Sequence, residues 1–248
     1  MNVTAYLERI GYSGPVMPNA ENLRAIHRAH LFSVPFENLD IGWGRAIRVD
    51  QEAFVRKVVE QRRGGFCYEL NGAFAALLQA LGFRVTLLSA RVPCADGSEG
   101  PEFDHLTLQV DLAKPWLADV GFGDSFIDPL RLAVGVEQEQ DGKRFRIAES
   151  GELLRVERHE GEWKTEYVFD LIPRRLEEFA DMCHYHQTSK KSPFTQKRVC
   201  SRATPDGRVT LSERKLIVTR NGLKEERGLG SEEEWLTVLQ KQFGVCRP

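Results

Sequence analysis

The sequence predicts an α+β fold in three parts: an N-terminal helical bundle, an antiparallel β-barrel and a C-terminal α/β lid. Three observations carry this prediction. Apolar residues recur at helical spacing from residue 3 to about 83, short alternating segments follow from Phe83 to about Phe169, and the two patterns mix in the remainder. Gly, Pro and Asp-Gly turns punctuate the chain, giving domains at 1–83, 84–172 and 173–248.

In the first part the helical segments are VTAYLERIGY, NAENLRAIHRAHLFS with Asn19 offering a cap, DQEAFVRKVVEQRR, and a helix from Tyr68 to Leu81. That last helix places Leu70, Phe74, Leu77, Leu78 and Leu81 on a helical repeat. The strands predicted next are VTLLSARV, HLTLQVD, WLADV, KRFRIAES, ELLRVERHE and WKTEYVFDL. The third part offers a helix RRLEEFADMCHYHQT and two or three strands (VCSRAT, GRVTLS, KLIVTR), joined partly by Pro205-Asp206-Gly207 and Asn221-Gly222. A final helix, SEEEWLTVLQKQF, has a capping box of Ser231 and Glu234. There is no internal repeat or low-complexity linker, so the parts are expected to pack as one body.

The run Arg63-Gly64-Gly65-Phe66-Cys67-Tyr68 sets one cysteine where a helix begins. Two glycines there permit a tight turn. Unpaired N–H groups and the positive end of the helix dipole favour an anion, so the Cys67 thiol is expected below its free value of about 8.5. Taken alone, Cys67 is as readily an inert core residue as a nucleophile.

Two downstream segments supply partners. His105 heads a strictly alternating strand, and Asp119 interrupts the apolar run WLADVGF. A hairpin turning about Leu112 sets His105 opposite Asp119, with Cβ atoms about 4.5–5.5 Å apart, although Pro115 and a longer turn can shift the register by one or two residues. A carboxylate inside an apolar run is costly without a partner, and an imidazole is a natural one. Asp104 and Asp124 lie beside turn signals and are expected to be solvated.

These blocks resemble the arylamine N-acetyltransferase family. The resemblance rests on RGGFCYELNG, DHLTLQV, LADVGFGDSFIDPL, LRAIHRAHLFSVPFENLDI and MCHYHQTSKKSPFT, and spans nearly the whole chain. It implies a cysteine-protease/transglutaminase-like core with a catalytic triad of Cys67, His105 and Asp119. It implies a two-step reaction: the Cys67 thiolate takes the acetyl group of acetyl-CoA as a thioester intermediate, and an arylamine, arylhydrazine or N-hydroxyarylamine then receives it, as in xenobiotic metabolism. It further implies a substrate pocket of Phe36, Val92, Phe122 and Phe194, with CoA near the turn of Gly121 and Gly123. CoA phosphates could meet Lys190, Lys191, Lys197 and Arg198, which serve equally well as a solvated charged face.

Competing readings stay open. A transglutaminase-like or papain-like thiol hydrolase shares the Cys-His-Asp order, and a macrolactam-forming amide synthase of the same superfamily shares the triad. A metal module on Cys183, His184 and His186 matches no standard zinc spacing, so no metal is expected. The 248 residues carry a net charge of −2, which gives no global basic excess for nucleic acid, and no apolar run nears the roughly 20 residues of a membrane span. The start MNVTAYLERIGY lacks a basic leader, and five cysteines without paired spacing suit a reducing compartment, so a cytoplasmic monomer or homodimer is expected.

Overall fold

A computed structural model describes residues 1–94 and 96–247. The helical part comprises α1 (Val3–Arg9), α2 (Ala20–Ser33), α3 (Leu39–Gly42), α4 (Gln51–Val59) and α5 (Cys67–Ala80), with a two-residue strand β1 (Phe36–Glu37) after α2. Asn19 caps α2 by accepting from Asn22 N, as its position suggests. Helix α5 begins at Cys67, one residue before the predicted start. It is buried on every side from Cys67 to Ala75, and Gly72 lets the Phe54 ring of α4 press against its backbone. A helix buried all round belongs at the centre of its domain, and α5 forms the middle of the largest core.

Eight strands follow: β2 (Arg84–Arg91), β3 (His105–Asp111), β4 (Pro115–Ala118), β5 (Leu130–Arg131), β6 (Gln138–Gln140), β7 (Lys143–Ser150), β8 (Leu153–Glu160) and β9 (Glu162–Phe169). Their order, β5-β4-β3-β2-β9-β8-β7-β6, makes a nearly closed antiparallel barrel. At the seam, side-chain amides replace a backbone ladder. Gln138 exchanges hydrogen bonds with the Arg131 N–H and carbonyl, and Gln140 does the same with the Ile127 and Asp128 N–H groups and the Asp128 carbonyl. Sequence periodicity missed β5 and β6 because strands of two and three residues show no alternation.

The β3–β4 hairpin pairs Leu108 with Ala118 and Val110 with Trp116, so it turns about Ala113 and not Leu112. The register therefore lies two residues from the expected one. An even shift keeps every side chain on its face, so His105 and Asp119 still meet, on a diagonal.

In the C-terminal part, α6 (Ala180–Thr188) and α7 (Pro193–Gln196) lead to β10 (Val199–Thr204), β11 (Gly207–Ser212), β12 (Lys215–Arg220), β13 (Leu223–Gly228) and α8 (Glu232–Phe243). The sheet order is β1-β10-β11-β12-β13, so a strand from the N-terminal part forms one edge. Trp235, Leu239 and Phe243 of α8 pack against Cys200, Val209 and Leu211. The fourth strand of this run, β13, was not foreseen: every residue of LKEERG is exposed, so no buried face marks it. Among the described residues no helix is long and apolar enough to cross a membrane.

Candidate active site

Cys67 is the first residue of α5 and is 3% exposed. The preceding glycines serve close approach and not a left-handed turn: the positive φ in this loop is at Arg62, at 51°. A Cβ on Gly64 would lie 1.8 Å from the Pro35 carbonyl oxygen, and one on Gly65 would lie 2.5 Å from Glu69 Oε2. Glu69 ties the helix start down, accepting from Phe66 N at 3.2 Å and from Lys57 Nζ at 2.6 Å. Behind it lies a buried ionic cluster. Lys57 Nζ is also 2.8 Å from Asp40 Oδ2, and Arg63 Nη2 reaches Glu37 Oε1 at 2.7 Å and Asp40 Oδ1 at 3.1 Å. Burial pushes the Glu69 carboxyl up to about 7 despite Lys57.

His105 opens β3, and Asp119 stands one residue beyond β4. His105 Nε2 donates to Asp119 Oδ2 at 2.6 Å. The other carboxylate oxygen, Oδ1, accepts from Asn71 Nδ2 at 2.8 Å and from Gly121 N at 2.9 Å. Burial works to raise the Asp119 carboxyl, yet the facing His105 and the two donors to Oδ1 hold it below the usual carboxylate range. Asn71 also donates to the Leu106 carbonyl at 2.6 Å and accepts from Val120 N at 2.9 Å. One side chain of α5 thus binds the strand carrying His105 and the loop carrying Asp119.

From α2, buried His27 completes this anchoring. Desolvation lowers its pKa to about 4, so the ring is neutral: Nδ1–H donates to the Ile127 carbonyl at 2.7 Å, and Nε2 accepts from Asp119 N at 3.1 Å. Gly121 is needed for contact, since a Cβ there would lie 2.8 Å from Cys67 Cα.

The thiol reverses the sequence expectation. Burial pushes the Cys67 thiol well above its ordinary value, and the Asp104 and Asp119 carboxylates add to this, against a hydrogen bond from the Leu106 backbone. No hydrogen bond joins Cys67 Sγ to His105, and His105 Nδ1 has no hydrogen-bond partner among the described residues.

Cys67 and His105 line one cleft of about 630 Å³, and Phe36, Val92, Phe122, Phe194 and Gly121 line it with them. Gly123 lies outside this lining, 3.8 Å from the Phe36 ring by its would-be Cβ. The Phe122 ring meets His105 edge-on at 5.3 Å, and Phe194 lies 5.7 Å from Phe66. Of the basic candidates, Lys191 lines the cleft. Arg198 is committed elsewhere, bonded to Glu232 at 2.7 and 2.6 Å and stacked on Trp235. Lys190 and Lys197 are exposed and outside the lining.

Asp104 departs from expectation, lining the cleft 3.1 Å from His186 instead of standing in solvent. Asp124 is exposed, as expected, but pairs with Lys143 and Arg208. Sequence reasoning also missed Tyr167, whose ring is 5.1 Å from His105, along with His27 and Asn71. For Asn71 a signal existed: it follows Cys67 by four residues, on the same helix face. The candidate metal residues are not gathered: Cys183 and His186 are buried among other partners while His184 is exposed. Among the described residues no group of three or more His, Cys, Asp or Glu is placed to hold a metal.

A family model described as N-acetyltransferase matches residues 19–246. The arylamine N-acetyltransferase of Escherichia coli K12 is 33% identical, aligned over 97% of this chain and 87% of that protein. The arylamine N-acetyltransferase / N-hydroxyarylamine O-acetyltransferase of Salmonella typhimurium is 32% identical over 97% of this chain and 88% of its own length. Among solved structures, the Mycobacterium marinum arylamine N-acetyltransferase in complex with CoA superposes with a TM-score of 0.92 at 31% identity, covering 98% of this chain and 93% of that one.

Proposed function

This chain belongs to the arylamine N-acetyltransferase family and is an acyltransferase, and from that premise we propose a ping-pong acetyl transfer from acetyl-CoA to arylamines, arylhydrazines and the oxygen of N-hydroxyarylamines through acetyl-Cys67. The observation that carries this reading is one cleft lined by both Cys67 and His105, whose Nε2 bonds Asp119.

His105 takes the Cys67 proton on Nδ1, the nitrogen that Asp119 leaves free, and the thiolate attacks the thioester carbonyl. A tetrahedral intermediate forms and collapses as the C–S bond to CoA breaks, and the departing thiolate takes the proton back from His105. The product is acetyl-Cys67 and CoA-SH. In the second half-reaction the acceptor attacks the acetyl carbon, gives its proton to His105, and the Cys67 sulfur leaves and is reprotonated. A buried thiol with a raised pKa makes an isolated thiolate costly. The ion pair with His105, backed by a carboxylate held ionised, supplies the compensation. Catalytic hydrogen bonds of this kind are often long before substrate binds and tighten in the complex. First-turn N–H groups of α5 lack intrahelical partners and are suited to the oxyanion.

The aromatic walls suit a flat acceptor, and the Gly121-Phe122-Gly123 turn is the proposed approach of CoA. The free cysteines, at 67, 94, 183, 200 and 246, support a cytoplasmic setting. Incubation with acetyl-CoA and no acceptor should add about 42 Da to Cys67 by peptide mass spectrometry, and an arylamine should discharge it. Absence of the adduct and of CoA release in folded wild-type protein would falsify the scheme, and Cys67→Ala must show neither.

A further inference from the structure

The cleft contains two imidazole–carboxylate pairs, and acetyl transfer uses one. The second is His186 with Asp104. His186, on α6, is 3% exposed. Its Nδ1 lies 3.1 Å from the hydroxyl of fully buried Ser192, and its Nε2 lies 3.1 Å from Asp104 Oδ1 without good hydrogen-bond geometry. Asp104 directly precedes His105, and its backbone carbonyl accepts the Tyr68 hydroxyl at 3.1 Å, which fixes its position beside Cys67.

The Asp104 side chain is 16% exposed, and among the described residues no Lys or Arg lies within 4.0 Å of it. Its second oxygen, Oδ2, has no hydrogen-bond partner among them either. An acceptor-only atom is therefore offered to the cleft between apolar surfaces such as Val92 and Phe194, whose ring is 5.1 Å from that of His186. Among the described residues Lys191 is the one Lys or Arg on the cleft lining, and it is exposed.

We propose that Asp104, packed against His186, is a specificity subsite that takes an N–H donor or cationic substituent on the acceptor ring and rejects a carboxylate there. This rests on the acetyl-transfer reading. Buried polar groups discriminate strongly because the wrong partner leaves them unpaired or faces them with like charge. In a partly solvated cleft, a like charge several ångströms away weakens a substrate by roughly tenfold.

The test compares kcat/KM for 3- and 4-aminobenzoate with the matching aminobenzamides. The carboxylates leave the ring amine more basic than the amides do, so chemistry alone favours the benzoates. Wild-type protein is expected to prefer the benzamides, and Asp104→Asn should raise the benzoate-to-benzamide ratio roughly tenfold. Acetyl-enzyme formation is measured first in both proteins. A wild type that forms no acetyl-enzyme sinks the acetyl-transfer reading itself. A wild type that acetylates but prefers the benzoates overturns the subsite, whether or not the variant folds, and so does an acetylating variant whose ratio is unmoved.

Discussion

Replacing Asn71 with alanine should remove about 4 kcal/mol of stability and slow acetylation of Cys67 about a hundredfold. The magnitude follows from its three hydrogen bonds, all fully buried. Two join neutral backbone groups, the Leu106 carbonyl and the Val120 N–H, and contribute about 1 kcal/mol each. The third joins the Asp119 carboxylate, and bonds to charge contribute about 2 kcal/mol. For a chain of this length the loss corresponds to a melting temperature lower by about 8–16 °C. The rate effect has a separate origin. Without Asn71, Asp119 Oδ1 keeps one donor, Gly121 N, and the loop is released from the helix that carries Cys67. A misplacement of about 1 Å in the group orienting His105 is enough for the hundredfold. Thermal unfolding and the rate of CoA release without acceptor measure the two effects. A melting point within about 3 °C of wild type, or full-rate acetylation by folded variant, would show that the three elements are held together by something else.

Other perturbations probe the surroundings. Gly64→Ala sets a methyl group against the Pro35 carbonyl, so it should destabilise by at least about 2 kcal/mol in denaturant unfolding; a neutral result would mean that the loop moves freely. Lys57→Met strips the Glu69 and Asp40 carboxylates of their shared cation and should cost about 3–5 kcal/mol, part of it recovered on adding Glu69→Gln; no recovery in the double variant refutes the coupling. His27 is neutral in the folded state, with its pKa lowered to about 4, so as pH falls below about 6.5 the unfolded chain binds a proton first. Its contribution, about 3 kcal/mol, is present above that pH and lost by about pH 4. Glu69 and Glu166, raised to about 7, act with opposite sign between about 4.5 and 7. The histidine is therefore isolated by comparing wild type with His27→Gln from pH 7.5 to 4; a difference that does not shrink on acidification contradicts the assignment.

The candidate nucleophile, base and orienting carboxylate were legible because each sits in a pattern with local meaning: a cysteine after two glycines at a helix start, a histidine on an alternating strand, and a carboxylate where an apolar run demands a partner. The hairpin register was two residues off, yet the pairing survived because side chains alternate with a period of two. The pKa of Cys67 was misjudged since a helix dipole is visible in sequence whereas the depth of burial is not. Asn71, His27 and the Asp104–His186 pair escaped for the same reason. Polar residues on helices and beside turns read as solvent-facing, and only the packing of α2, α5 and α6 around the barrel turns them inward.

Strand β13 leaves the five-stranded sheet with an uncovered rim. Such a rim invites a second copy to dock across a two-fold axis. In each central antiparallel register of this strand with itself, glutamate meets glutamate: Glu225 with Glu226, Glu225 with Glu225, or Glu226 with Glu226. Like charges directly opposite are unfavourable. Only the register that sets Glu225 against Glu226 is repulsive throughout, since it also sets Lys224 against Arg227; the other two bring Lys224 against Glu226 or Glu225 against Arg227, so charge selects among the ways this rim can pair and does not seal it.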